Sequence, residues 1–183
     1  MAYKTKRIHN RLTGQSIEFI KTAKDTHGAL LEMISTFRPH STEPKAHYHP
    51  IQEEDFIVLE GELTVRINRK TSVLKAGDKL HLAPEVIHAM WNNSSKPARV
   101  NWQVRPALDT EYLLETFTGM ANEIAARKRE RTSVLLTAQL MHRFSMVYRL
   151  AAIPFIFQKV LFVPLSWISL VWGNQVPYHR YID

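Results

Sequence analysis

Three histidines and a pair of carboxylates stand at spacings that suit one metal ion. His47 and His49 are two residues apart, and Glu53 and Glu54 follow after a short turn. Successive residues of a β-strand point to opposite faces, so the two imidazoles would lie on one face of a strand. With His88 farther along the chain, they form a mixed nitrogen and oxygen set that favours Fe, Mn, Ni, Cu or Zn over Ca.

The segments that must position these residues have the pattern of short β-strands. Turn-forming sequences such as Glu60-Gly61-Glu62 and Ala76-Gly77-Asp78 separate segments rich in β-branched and aromatic residues. Many short strands at regular spacing predict a sandwich or barrel. The predicted strands are Ser16 to Lys21, Leu30 to Phe37, Asp55 to Leu59, Leu63 to Asn68, Ser72 to Leu74, Lys79 to Leu82, Val86 to Trp91 and Arg99 to Arg105.

Strand alternation also predicts which side chains surround the metal. Phe56 and Val58 share the face of Glu54. By the same rule, Met90 and Asn92 lie on the side of His88. We therefore expect these four residues to line a pocket, although Asn92 is also a residue type that commonly closes a turn.

The order of these residues resembles the two motifs of the cupin superfamily. They read His47-x-His49-x4-Glu54-x6-Gly61, then Gly77-Asp78, then Pro84-Glu85-Val86-Ile87-His88-x3-Asn92. The resemblance covers roughly residues 10 to 106 and implies a mainly β fold, the double-stranded β-helix or jelly-roll barrel. It also implies one divalent transition metal held by His47, His49, Glu54 and His88, with Fe or Mn favoured and Ni, Cu or Zn as alternatives. Glu54 is preferred to Glu53 because it keeps the family's spacing to Gly61.

Three positions depart from the family's motifs. Ser41, Ala83 and Glu85 stand where the family has Gly, Pro and Gly, respectively. These positions shape the backbone, whereas all four ligand positions are filled. We therefore expect the departures to affect loop geometry more than metal binding.

Composition narrows the class of protein and of partner. The chain has 183 residues and no cysteine, so disulfides, thiolate zinc sites and thiol nucleophiles are excluded and a reducing, cytoplasmic location is expected. No apolar run follows the basic start of the chain, so we expect no secretory signal. The net charge is +7, but the basic residues are scattered and no nucleic-acid-binding motif accompanies them. We therefore expect no nucleic-acid partner.

The periodicity changes after Pro106, which predicts a barrel domain over 1–108 and a helical extension over 109–183. Asp109 or Thr110 can cap a helix with apolar residues at helical spacing, and Thr132 or Ser133 can cap a second one. The charged run at 127–131 is expected to be an exposed link. The apolar stripes are Leu113, Phe117, Met120 and Ile124 in the first helix, and Leu136, Leu140, Phe144, Val147 and Ala151 in the second.

The segment from Leu150 to Trp172 is the most apolar part of the chain. Of its 23 residues, 17 are apolar and only Lys159 is charged. Because Pro154 and Pro164 divide it, we predict a pair of short helices that pack on the barrel or across a homodimer. Peripheral membrane contact through 150–172 is the alternative, since the Trp residues of this segment suit an interfacial anchor.

Two functions are compatible with these residues. The first is a metal-dependent enzyme, a dioxygenase-like oxidoreductase or an isomerase or lyase, that acts on a small organic substrate at a three-His-one-Glu centre. The second is a non-catalytic module that binds or senses a small ligand, with the C-terminal helices transmitting occupancy to a partner. The sequence identifies neither the substrate nor a catalytic residue beyond the metal ligands.

Overall fold

A computed structural model describes residues 2–126, 134–171 and 181. Within these residues, ten strands precede the first helix, and one short strand lies between the second and third helices. The strands are β1 (Arg7–His9), β2 (Ser16–Lys21), β3 (Leu31–Phe37), β4 (His47–Tyr48), β5 (Glu53–Glu60), β6 (Glu62–Ile67), β7 (Lys70–Lys75), β8 (Lys79–Leu82), β9 (His88–Trp91), β10 (Ala98–Arg105) and β11 (Arg149–Leu150). The helices are α1 (Thr110–Ala126), α2 (Val134–Arg143) and α3 (Phe155–Val171).

The strands form two antiparallel sheets that make up the jelly roll. One sheet has the order β1-β2-β3-β10-β5-β8 and the other the order β11-β4-β9-β6-β7. Apolar residues of β5, β6, β8, β9 and β10 are buried between the sheets, which gives the apolar core of the barrel. The predicted fold class, a mainly β jelly roll with C-terminal helices, is confirmed. The core residues are Phe56, Val58, Leu63, Val65, Leu82, Met90 and Val100.

The turn between β5 and β6 depends on Gly61. Its φ of 75° lies in the left-handed region, and a Cβ at this position would lie 2.3 Å from the carbonyl oxygen of Pro97. Only glycine meets both conditions without a shift of the backbone. Gly61 thus fixes the β5 to β6 turn, and with it the register of the strand that carries Glu54.

The strands that the sequence predicted are present, with ends shifted by at most a few residues. The sequence pattern missed β1, β4 and β11, which are only two or three residues long. Such short strands carry no detectable alternation, so they are defined by their partners: β1 pairs with β2, and β4 pairs with β9 and β11. The missed strands include β4, which carries His47.

The predicted extent of the second helix is wrong. The stripe that ran to Ala151 predicted a longer second helix, but α2 ends at Arg143 and the chain then extends into β11. Pairing with β4 causes this change, because the amide of Ala151 donates to the carbonyl of Ala46 at 3.0 Å. The predicted cap at Thr132 or Ser133 and the link at 127–131 lie outside the described residues.

The predicted pair of short helices is a single helix. Pro154 precedes α3, a position that proline favours. Pro164 lies inside the helix and removes one backbone hydrogen bond, but α3 continues to Val171 while packed against α2. In the ranges that the structure covers, no helix has the length and apolarity to traverse a bilayer.

Candidate metal centre

The predicted ligands meet between the two sheets of the barrel. His47 on β4 lies directly opposite His88 on β9, His49 follows β4, and Glu54 comes from β5 in the facing sheet. The ring centroids lie 4.5 Å apart for His47 and His88, and 5.3 Å apart for each of the other two histidine pairs. One nitrogen from each ring lies within 4.8 Å of the other two, which is close enough for a single ion.

Backbone carbonyls fix the protonation pattern of all three imidazoles. The Nδ1 atom lies 3.1 Å from the Lys45 carbonyl in His47, 2.5 Å from the Val147 carbonyl in His49, and 3.0 Å from the Val86 carbonyl in His88. A carbonyl oxygen can only accept, so each Nδ1 carries a proton and donates it. The neutral ring then keeps its lone pair on Nε2, the form in which histidine binds a metal.

Glu54 presents one oxygen to the centre and has the other one tied back. The indole Nε1 of Trp102 donates to Oε1 at 2.9 Å. Oε2 lies 3.3 Å from Nε2 of His49 and 3.1 Å from Nε2 of His88. The Trp102 bond therefore sets the orientation in which Oε2 faces the imidazoles.

The centre contains buried polar atoms that the protein itself does not satisfy. Glu54 is 1% exposed and His49 is 5% exposed. Despite their short separation, neither Oε2 of Glu54 nor Nε2 of His49 has a partner in hydrogen-bonding geometry. Buried polar atoms are normally paired, because an unpaired one costs the free energy of its lost hydration. A cation between these atoms would satisfy both, so the residues fit a metal ion.

The electrostatics of the centre keep the carboxylate ionised. Burial acts to raise the pKa of Glu54, but the neighbouring His49 and His88 outweigh it and lower the pKa below its ordinary value. Burial also lowers the pKa of His47 to about 3, reinforced by the charges of His88 and His49. For His49, burial is outweighed by the Glu54 carboxylate, so its pKa is raised. Glu54 and His47 are thus in the states that metal ligands require.

A cavity of about 150 Å³ opens on three of these ligands. Two of the predicted pocket residues, Phe56 and Met90, line it. Val58 instead packs in the barrel core, and the Asn92 amide closes a turn by donating to the Lys96 carbonyl at 2.7 Å. Strand alternation gives the face on which a side chain lies but not its depth along the strand. The cavity is lined by Gln15, Phe37, Pro44, His47, Glu54, Phe56, His88, Met90 and Trp102.

Trp102 is a site residue that the sequence argument missed. It lies opposite Phe56 in the pairing of β10 with β5, and the two rings stack with centroids 5.8 Å apart. Its position in the predicted strand Arg99 to Arg105 placed it on a definite face, but the partner strand was unknown. Only the pairing of β10 with β5 brings its indole to Glu54.

A second cavity, of about 580 Å³, also reaches His88. Three cationic residues, Lys45, Arg66 and Arg69, line it together with the apolar segment 150–153. Arg66 pairs with Glu43 at 2.7 Å. This cavity combines positive charge with an apolar wall, an arrangement suited to an organic anion.

The C-terminal part of the chain contributes directly to the centre. Besides the Val147 carbonyl that accepts from His49, the ring of Tyr148 stacks on the His47 imidazole with centroids 4.7 Å apart and an interplanar angle of 24°. Burial raises the pKa of Tyr148 to about 12. In β11, Leu150 pairs with His47. The histidines of the first motif are thus supported from behind by residues 147–150.

The loop before His88 carries one of the departures from the family's motifs. Glu85 stands at a glycine position of the motif and has a φ of 66°, which strains a residue with a side chain. Its amide donates to the His49 carbonyl at 2.8 Å. This contact connects the two motifs and keeps the loop in its left-handed conformation.

Comparison with known proteins agrees with this geometry. A family model described as a cupin domain matches residues 33–104, the span that contains all four candidate ligands. Residues 33–104 therefore form a cupin domain. Among curated relatives, the tetracenomycin polyketide synthase protein TcmJ of Streptomyces glaucescens is 33% identical over 60 residues, 33% of this chain and 40% of the relative. The uncharacterized protein YdbB of Bacillus subtilis is 46% identical over 43 residues, 23% of this chain and 38% of the relative. The matches thus span about two fifths of each relative's length.

Two solved structures are similar to about three fifths of the chain. An RmlC-like cupin from Shewanella frigidimarina has 21% sequence identity and a TM-score of 0.49, and the match covers 61% of this chain and 92% of the other. A recombinant oxalate oxidase in complex with glycolate has 20% identity and a TM-score of 0.47, with 58% and 59% covered.

Proposed function

We propose that this cupin binds one divalent transition metal through His47, His49, Glu54 and His88 and acts on a small organic substrate. The observation that supports this most strongly is the hydrogen bonding of every Nδ1 to a backbone carbonyl, which leaves the Nε2 lone pairs of three clustered imidazoles for a metal. The buried Oε2 of Glu54 lies beside two of them, those of His49 and His88. Fe or Mn is favoured, with Ni, Cu or Zn as alternatives. When bound, such a metal polarises a substrate oxygen or activates O₂, which is the chemistry of a dioxygenase-like or an isomerase or lyase reaction.

The protein's own residues define the size and polarity of the substrate site. A cavity of about 150 Å³ holds a molecule on the order of the size of benzene. Phe37, Phe56 and Met90 give it apolar walls that exclude water, and the Gln15 amide adds a polar group. Trp102 keeps Glu54 oriented while a substrate enters.

The second cavity favours a substrate with a negative charge. Lys45 and Arg69 line it beside His88, so a carboxylate placed there would lie next to the metal ligands. Arg105 is not available for this role, because it pairs with Asp55 at 2.7 Å and lines neither cavity. We therefore infer a small organic acid as the substrate class. The similarity to a protein named for polyketide synthesis is compatible with an organic substrate.

A non-catalytic ligand-binding module is the second candidate. It is favoured by the contact of Tyr148 with His47 and of Val147 with His49, because these contacts connect the site to the C-terminal helices. Ligand occupancy that shifts either histidine would then be transmitted to the helical part of the chain.

Metal content and turnover separate these functions. We expect about one equivalent of metal in the purified wild type and less than a tenth of that in His49→Ala. His81→Ala is the matched control, since the His81 side chain is 56% exposed and pairs with Asp55, away from the three clustered histidines. O₂ uptake or conversion within a panel of small organic acids, lost in His49→Ala, would support the enzyme. Stoichiometric metal without turnover would support the binding module, and absence of metal after supplementation would refute both.

A further inference from the structure

The polarity of α3 is inverted relative to that of an ordinary surface helix. Its protein-facing side includes Gln158, Ser166 and Ser169, which are 4%, 4% and 0% exposed. Its solvent-facing side includes Phe157, Val160 and Trp167, which are 62%, 67% and 65% exposed. A surface helix normally buries its apolar side and exposes its polar side. This arrangement leaves an apolar side of α3 that a second apolar medium or surface could cover.

The exposed apolar side is continuous. At 3.6 residues per turn, its members cover about two fifths of the circumference of α3, and this arc contains no charged residue. The opposite side of the helix contains its buried residues, Gln158, Phe162, Ser166 and Ser169, and α3 packs against α2. We call this surface the α3 apolar face; its residues are Ile156, Phe157, Val160, Leu161, Pro164, Trp167, Ile168 and Val171.

Polar contacts hold α3 in this orientation. The side-chain amide of Gln158 donates to the Leu150 carbonyl at 2.8 Å and to the Ile153 carbonyl at 2.6 Å. The Ser166 hydroxyl donates within the helix to the Val163 carbonyl at 2.8 Å. Rotating α3 to bury its apolar face would break the Gln158 bonds and expose Phe162. The outward position of the α3 apolar face is thus built into the packing.

The charges around this face select among its partners. From residue 134 to residue 171 the chain has no Asp or Glu, but it contains Arg143, Arg149 and Lys159. Arg143 already pairs with Asp109 at 2.7 Å, so Arg149 and Lys159 are the cations of this range that remain for a partner. A two-fold dimer across the α3 apolar face would bring two copies of this cationic segment together without a carboxylate from it to pair them. An anionic lipid surface supplies both the apolar medium and the negative charge.

We propose that the α3 apolar face binds the surface of a membrane that contains anionic lipid, with α3 parallel to the bilayer plane. Phe157 and Trp167 enter the boundary between headgroups and acyl chains, and Lys159, at the edge of the face, meets lipid phosphates. This inference does not rest on the metal centre, and either can fail without the other.

Co-sedimentation of the full chain with vesicles tests this inference. We expect binding to phosphatidylcholine vesicles with about 30% phosphatidylserine, at least about tenfold weaker binding to pure phosphatidylcholine, and weakening as salt rises from about 0.1 M to about 0.5 M. Val160→Asp should reduce binding about tenfold or more. Val73→Asp is the matched control, because Val73 is an exposed valine, 49% accessible, on β7 of the barrel. It should bind as the wild type does.

Each other outcome overturns the inference. Absence of binding to the anionic vesicles, or equal binding by Val160→Asp and the wild type, would exclude a lipid surface as the occupant. Sedimentation velocity without lipid measures the oligomeric state and so tests whether a second copy of the chain covers this face. A wild-type dimer that Val160→Asp converts to a monomer would identify the α3 apolar face as a dimer interface. Far-ultraviolet circular dichroism of both variants checks that α3 is retained, and Lys159→Glu supplies a second, charge-based variant that should bind more weakly.

Discussion

Replacing Trp102 with Phe should weaken metal binding without unfolding the barrel. The indole Nε1 donates to Oε1 of Glu54 at 2.9 Å, and Phe retains an aromatic ring to stack on Phe56. A hydrogen bond to a charged group is worth about 1.5–3 kcal/mol. If the ligand orientation depends on this bond, the dissociation constant should rise roughly tenfold to a hundredfold, the range typical for residues that orient a metal ligand.

The dissociation constant for Mn²⁺ or Zn²⁺ is measured by competition with a chelator of known affinity, for the wild type, Trp102→Phe and a control variant. Trp91→Phe is the control, since Trp91 is also buried in the barrel but its ring faces the Arg66 guanidinium at 5.4 Å. A decrease in affinity of less than about threefold for Trp102→Phe, or an equal decrease for Trp91→Phe, would refute the role of the indole. Thermal unfolding of the metal-free proteins separates lost metal affinity from lost stability.

Three further substitutions test the backbone and the charges. Gly61→Ala should lower the free energy of unfolding more than Gly77→Ala does, by at least about 2 kcal/mol. Both glycines have positive φ, but only a Cβ at Gly61 would clash with a carbonyl oxygen. The difference between the two variants in urea unfolding therefore measures this clash. Glu85→Gly should stabilise the protein by roughly 0.5–1 kcal/mol through relief of its left-handed φ, and an unchanged or lower unfolding midpoint would contradict the strain. Burial, assisted by the charges of nearby carboxylates, raises the pKa of Glu111 above 4.5, so the stability linked to this group is present at low pH and is lost as the pH rises through the raised pKa. Glu111→Gln keeps an acceptor for the Ala23 amide and should therefore raise the free energy of unfolding at pH 7 but not below pH 4; an equal change at both pH values would show that the charge is not responsible.

The barrel was predictable because its longer strands and its turns leave patterns in short stretches of sequence. The long strands carry alternation over six to eight residues, as in β2, β5 and β10, and turns at Gly61 and Gly77 need residue types that are visible in the sequence. The spacing of His47 and His49 gives their common face directly. The meeting of these two with His88 followed from the resemblance to cupin motifs, because the pairing of β4 with β9 has no signal in two residues of strand.

The parts that escaped prediction depend on contacts between distant segments. The Val147 carbonyl lies 98 residues from His49 along the chain, and a backbone acceptor leaves no trace in residue type. The apolar stripe through Val147 and Ala151 favoured a longer α2, but pairing with β4 gave the backbone of this segment other partners. The predicted boundary after residue 108 remains a prediction. Contacts across it, from Val147 and Tyr148 to the histidines, are part of the candidate metal centre.

The same short strand connects the metal centre with the α3 apolar face. β11 pairs with His47 through Leu150, and Gln158 at the start of α3 donates to the carbonyls of Leu150 and Ile153. α3 is therefore connected to His47 through the Gln158 side chain and the pairing of β11 with β4. Coupling between two sites requires an element that can adopt two arrangements. In this path, a second arrangement would break the pairing of β11 with β4 and the hydrogen bonds of Gln158. With these contacts intact, the path supports the imidazoles, and a bound membrane would orient the cavity relative to the lipid surface. Transmission of ligand occupancy to the helices, the second candidate function, would require at least one of these contacts to change.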